Sequence, residues 1–169
     1  MASTDHKGSA AFQPAFADYA ARVRASFARQ GAMALIGAEL VDVSPGHCAI
    51  ALVPRAELSQ QHGYVHAGVL AALIDTAGGY AGYTLFPEDS SVLTVEFKLN
   101  LLAPAQGERI VAEGFVVKPG RTLAITRGEV HAERGGARTL VALMQQTLMV
   151  MHGKRDDAAP VARDAANRS

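Results

Sequence analysis

Residues 66–85 narrow the possible folds of this chain more than any other stretch. They read as one helix carrying Val69, Leu70, Leu73, Ile74 and Ala77, with a single charge, Asp75. A helix apolar on every side has no face to offer water and must be buried. The segments that follow supply the cover: 92–102, 109–118, 122–132 and 139–151 are rich in Val, Ile, Leu and Thr, as strands are. Upstream, 34–43 and 47–53 read as two strands around the turn Ser44-Pro45-Gly46. Before them, Phe16, Tyr19, Val23 and Phe27 mark a helix running from Ala15 to Gln30-Gly31. Pro119-Gly120 suits a type II turn with glycine at positive φ, and Arg134-Gly135-Gly136-Ala137 another hairpin. The order is helix, two strands, buried helix, four strands. It predicts an α+β domain: a six-stranded, mostly antiparallel sheet wrapped around a long central helix, plus an N-terminal helix. The sheet's outer face and edges are left needing partners, so a dimer is expected.

Composition adds exclusions. The 169 residues carry 16 basic and 16 acidic side chains, so no long-range field draws in nucleic acid. With 49% apolar and 19% charged residues the chain is globular, and its length suits one domain. The expected division is a flexible N-terminus at 1–13, the domain at 14–151 and a disordered tail at 152–169. No apolar run reaches membrane-spanning length, and residues 1–8 lack the pattern of a secretory signal, so a cytoplasmic protein without membrane partners is expected. The single cysteine, Cys48, forms no internal disulfide and reads as a small core residue. The 32 alanines and 16 glycines imply a core of small side chains at close backbone approach.

Residues 60–79 carry the one unusual chemical signal. Asp75 has only Ala71, Ala72, Gly78 and Gly79 at i±3 and i±4, a bare patch around a carboxylate. It reads either as a functional acid or as a structural one bonded to a loop amide or an arginine. His66-Ala67-Gly68 opens the helix, where amides lack intrahelical acceptors and lie at the positive end of the dipole. A substrate oxygen can reach them past so little side chain, although glycine there also simply eases a tight entry. His62 and His66 are four apart, but no third ligand is placed by spacing, so no metal is expected. There is no nucleophile elbow, Walker loop or dinucleotide fingerprint.

Gln60-x-x-Gly63-x-x-His66-Ala67-Gly68 followed by Asp75 resembles the Asn-x-x-Gly-x-x-His-Gly-Gly and helix acid of the PaaI-type hotdog-fold acyl-CoA thioesterases. The resemblance runs over about residues 33–150, through Leu93-Thr94-Val95-Glu96-Phe97 and Ala103-Pro104-Ala105 to Lys118-Pro119-Gly120-Arg121-Thr122. It implies hydrolysis of an acyl-CoA thioester, aryl or short to medium chain, by a homodimer or a dimer of dimers. It implies no cofactor, since coenzyme A is part of the substrate. The resemblance gives the Ala67 and Gly68 amides the thioester oxygen, and gives Asp75 of the facing subunit the part of base or nucleophile. Thr94 would hold the water, His66 would brace the loop or contact the carbonyl region, and Lys118, Arg121 and Thr122 would hold the nucleotide end. Gln60 stands where the family has Asn, one methylene longer; Ala67 stands for a glycine and adds a methyl beside the carbonyl.

Two other functions fit such a chain. A non-catalytic acyl-CoA-binding hotdog, sensor or carrier, would bind without turnover. A hydratase or dehydratase would need a His–acid pair for proton transfer at carbon, which His66 and Asp75 do not supply.

Overall fold

The computed structural model describes residues 12–156. The segments expected to be loose, 1–13 and 152–169, lie largely outside the described residues. The elements are α1 (Tyr19–Ala28), α2 (Gly31–Ile36), β1 (Glu39–Ser44), β2 (His47–Leu52), α3 (Ala67–Tyr83), β3 (Ser91–Leu101), β4 (Arg109–Lys118), β5 (Leu123–Arg134) and β6 (Ala137–Met151). The strands form one sheet in the order β1-β2-β4-β5-β6-β3, and every pairing is antiparallel. This is the hotdog arrangement: α3 leaves β2, packs across the sheet and delivers the chain to β3 at the far edge.

Small residues let α3 lie directly on the sheet. A Cβ on Gly114 of β4 would collide with the Ala77 carbonyl, and one on Gly128 of β5 would come within 2.6 Å of Ile74. The helix buries Leu70, Leu73, Ile74 and Tyr83 against Ile50, Ile110, Val130 and Leu148. At roughly 1.5–3 kcal/mol per buried large apolar side chain, this seam is the main source of cohesion. Cys48 is fully buried within it, and burial pushes its thiol up to about 12, which keeps it protonated and unreactive.

Three local expectations are corrected. Residues 34–36 are helical, because α2 runs until Gly37 takes φ 71°. The Gly37 and Ala38 amides then close onto the Ala34 and Met33 carbonyls, a Schellman ending that delays β1 to Glu39. The first helix begins at Tyr19 rather than Ala15. Ahead of it, Phe16 covers the Arg22 guanidinium, which also lies 3.8 Å from the Tyr83 ring centroid and donates to the carbonyls of Tyr83, Phe86, Pro87 and Glu88. Arg22 thereby ties α1 to the C-terminal end of α3. Finally, Gly120 does not adopt positive φ; glycine is required there because a Cβ would collide with the Leu123 carbonyl. The Pro-Gly pair with a left-handed glycine is Pro45-Gly46, φ 77°, whose Gly46 amide donates to Thr84 Oγ1 at 2.8 Å.

Candidate active site

Asp75 sits in the middle of α3, half-buried, beside the edge strand β3. Its Oδ1 accepts from Thr94 Oγ1 at 2.8 Å and from Gln146 Nε2 at 2.5 Å. Among the described residues neither a loop amide nor an arginine holds it. Gln146 Nε2 also donates to Thr94 Oγ1 at 3.0 Å and to the Asp75 main-chain carbonyl at 3.1 Å. Behind it, Thr126 Oγ1 donates to Gln146 Oε1 at 2.8 Å. Asp75 Oδ2 has no hydrogen-bond partner among the described residues.

The bare patch expected around Asp75 is divided between two uses. Gly78 makes room for the Gln146 carboxamide, while at Gly79 a Cβ would meet nothing within 4 Å. Gly79 therefore opens a recess lined by Gln30, Asp75, Thr76, Tyr80, Val92 and Thr94. Its far wall is polar: the Tyr80 hydroxyl lies 2.8 Å from Gln30 Nε2 and 2.9 Å from Ser26 Oγ. Burial pushes the Tyr80 phenol up, so it stays neutral around pH 7.

Thr94 owes its aim to the edge strand. The β3–β6 register slips between Thr94 and Glu96, and the bulge at Val95 keeps Thr94 opposite Leu148 while Phe97 faces Gln146. Among the described residues β3 has no neighbour on its other side, and Leu93, Val95, Phe97 and Leu101 are exposed along it.

The α3 entry is built separately. His66 is the N-cap, and its Nδ1 accepts the Gly68 amide at 2.9 Å. That places the proton of the neutral ring on Nε2. Gly68 itself leaves room for the ring to fold back. The Ala67 amide has no acceptor among the described residues. Gln60 turns inward on its own loop, its Oε1 accepting from the His62 amide and its main-chain amide donating to Tyr64 O. Lys118, Arg121 and Thr122 are exposed around the β4–β5 turn. The turn is tied to the end of β6 through His152 Nε2, which donates to Arg121 O at 2.6 Å, and through the Val150 amide, which donates to Thr122 O at 2.9 Å.

Of the site residues read from sequence, the fold brings Asp75 and Thr94 together. It leaves Ala67 eight residues away along α3, about 12 Å at 1.5 Å per residue. Gln146 and Thr126 are not among those site residues. Their signal is a phase violation: each occupies an inward position of its strand, between Met144 and Leu148 or between Ala124 and Val130, where apolar residues belong.

Residues 62–138 match the family model of the thioesterase superfamily. Together with the likeness to a solved thioesterase family protein, this makes the chain a member of the thioesterase superfamily. A solved thioesterase family protein from Silicibacter pomeroyi superposes with a TM-score of 0.79 at 45% identity, covering 80% of this chain and 99% of that one. The Escherichia coli PaaI protein of the phenylacetic acid degradation operon shares the fold, with a TM-score of 0.70 at 17% identity over 81% of this chain and 96% of that one. The medium/long-chain acyl-CoA thioesterase YigI of E. coli is 32% identical over 82 residues, 41% of this chain and only 53% of YigI. No helix among the described residues is long and apolar enough to cross a membrane.

Proposed function

We propose that this protein hydrolyses acyl-CoA thioesters, with Asp75 as the reacting acid. The observation that carries the reading is the carboxylate itself: one oxygen is held by Thr94 and Gln146, and the other is unpartnered beside an open recess. Asp75 takes a proton from a water that attacks the carbonyl, or attacks the carbonyl itself to give a mixed anhydride that a water then hydrolyses. In either course the C–S bond breaks, the departing thiolate takes up a proton, and a free acid and the thiol of coenzyme A are left. The likeness to YigI supports a coenzyme A thioester. The recess, with aliphatic Val92 and aromatic Tyr80, suits an aryl or a short to medium alkyl group.

The oxyanion is assigned to the α3 entry. The Ala67 amide is unclaimed, and the Gly68 amide joins it when His66 releases its bond. One thioester carbonyl cannot touch Ala67 and Asp75 of the same chain across about 12 Å. The site is therefore shared, Asp75 of one copy meeting the helix entry of another. The unpaired, apolar β3 edge carrying Thr94 is the surface on which a second copy docks. Lys118, Arg121 and the turn amides near Thr122 are proposed to hold the phosphates of coenzyme A, where exposed basic side chains give charge-assisted bonds.

The test is thiol release by the purified full chain from a panel of aryl- and alkyl-CoA thioesters. Asp75→Asn and Asp75→Ala are expected to lower kcat by about 10²–10⁴-fold, the range of acid–base catalysis. Tight acyl-CoA binding with no thiol released would instead establish a carrier or sensor. Unchanged turnover in Asp75→Ala would remove Asp75 from the reaction.

A further inference from the structure

We propose that Gln146 is a positioning residue for Asp75, and that Thr126 anchors the far end of its carboxamide. The inference rests on Asp75 being the reacting acid. Gln146 is 1% exposed and Thr126 fully buried, so their bonds are made in low dielectric without competition from water. A glutamine side chain has a donating and an accepting end that look alike in shape. Here the Asp75 carboxylate and main-chain carbonyl, which can only accept, draw the –NH₂ toward them, and Thr126 donates to the oxygen end left behind. Reversed, the amide would place its oxygen against two acceptors of Asp75 at once.

The orientation has three consequences at the reacting group. It makes Oδ1 the anchored oxygen and leaves Oδ2 as the one that faces the recess. It ties the carboxylate to its own helix backbone, because the same nitrogen donates to the Asp75 carbonyl. It also fixes Thr94 as a donor to Asp75, because the Thr94 oxygen already accepts from Gln146. The helix is shaped for this amide: at Gly78 any Cβ would occupy the space that Gln146 Oε1 fills. A polar side chain at an inward sheet position, with its oxygen bonded, its nitrogen placed on the acid and a notch cut for it in the helix, is a built device rather than a tolerated polar residue.

The experiment compares Gln146→Leu, Gln146→Glu, Thr126→Val and Thr126→Ser with Asp75→Asn on one acyl-CoA that the wild type turns over. Gln146→Leu is expected to lose about 10–100-fold in kcat with KM within about twofold, since the group acts on the acid and not on the substrate. Thr126→Val is expected to lose less, and Thr126→Ser, which keeps the hydroxyl, to restore the wild-type rate. Gln146→Glu places a second carboxyl against Asp75, and like charges at that distance share a proton. The acid limb of its pH–rate profile is expected to move up by about one unit or more. Among the described residues Tyr80 is the only other titratable group lining the recess, and its raised phenol does not titrate there. The double variant Thr126→Val/Gln146→Leu leaves no orphaned buried polar group, so its folded fraction, read by circular dichroism, separates lost positioning from lost folding. Folded Gln146→Leu and double variants with wild-type kcat, or an unmoved acid limb in Gln146→Glu, would overturn the proposal. If Asp75→Asn also keeps full activity, the proposed function fails with it; if Asp75→Asn is inactive, only the role of Gln146 is lost.

Discussion

Two neighbouring glycines of α3 should respond in opposite directions to the same added methyl group. Alanine in place of glycine inside a helix stabilises by about 0.5–1 kcal/mol when the site is open. At Gly79 nothing lies within 4 Å of the new Cβ, so Gly79→Ala should gain that amount. At Gly78 the Cβ would fall well inside the 3.0 Å that real Cβ atoms keep from their neighbours, with Gln146 Oε1 as the obstacle and Met144 and Thr126 3.1 and 3.2 Å away. The amide must retreat by roughly 1 Å, and its bonds to Thr126, Asp75 and Thr94 cannot all follow. Stranding one or two buried polar groups costs about 1–3 kcal/mol each. Against the propensity gain, Gly78→Ala should come out about 1–3 kcal/mol less stable than the wild type. At about 2–4 °C per kcal/mol, Tm should fall by several degrees for Gly78→Ala and rise by about 1–4 °C for Gly79→Ala. Thermal denaturation followed by circular dichroism reads both, with urea titration to check that m is unchanged. Thiol release should fall in both variants, since one disturbs Gln146 and the other narrows the recess. If Gly78→Ala were as stable as Gly79→Ala, the seat proposed for Gln146 would be wrong.

Two further tests address the frame around the site. Removing the Arg22 guanidinium strips a charged donor from the Tyr83 carbonyl at the end of α3, from three carbonyls in the segment that follows, and from two aromatic rings. Arg22→Leu should therefore cost about 2 kcal/mol in denaturant titration, and Arg22→Lys, lacking the planar fork, should recover less than half. On the outer sheet face, hydrogen bonding from His47, with Arg138 adding to it against the opposing effect of burial, lowers the Glu113 carboxyl from an ordinary 4.5 to about 2. Its stabilisation is present above pH 4.5 and is lost as pH falls toward 2. His47 is raised, chiefly by that same bond with Glu113, so its share is full below its ordinary 6.5 and fades as pH rises through the raised value. Stability curves of wild type and Glu113→Gln should thus differ most near pH 5–6, by about 1 kcal/mol in this partly exposed network, narrow to the share held by Arg138 as His47 loses its proton, and converge as pH falls toward 2.

The architecture was legible because its strongest signals are physical necessities. An all-round apolar helix forces a wrapping sheet, and β4, predicted at 109–118, is found at Arg109–Lys118. What misled was locally ambiguous. The stretch Met33-Ala34-Leu35-Ile36 has the hydrophobicity of a strand, and only the left-handed Gly37 reveals a helix ending. Pro119-Gly120 and Pro45-Gly46 are the same dipeptide, yet only the second has positive φ, because a chain contact rather than a turn type demands the glycine of the first. At the site, a lone acid on an apolar helix singled out Asp75 and the family resemblance singled out Thr94, and the fold places the two in contact. Gln146 lies 71 positions beyond Asp75 and meets it only because α3 packs across the sheet onto β6, which no local motif encodes.

The glycine seam between α3 and the sheet also bears on how such a domain diversifies. Where Gly114, Gly128 and Gly78 bring backbone or side chain into direct contact, α3 has one seating depth, and no larger residue can be admitted without lifting the helix. Asp75 is therefore held at a constant height above the sheet whatever happens around it. The recess walls differ: Gln30 comes from the α1–α2 junction and Val92 from the start of an edge strand, both outside the seam. Such a protein can change the size and polarity of the group it admits by substitutions at its rim, while the Asp75 carboxylate stays where it is.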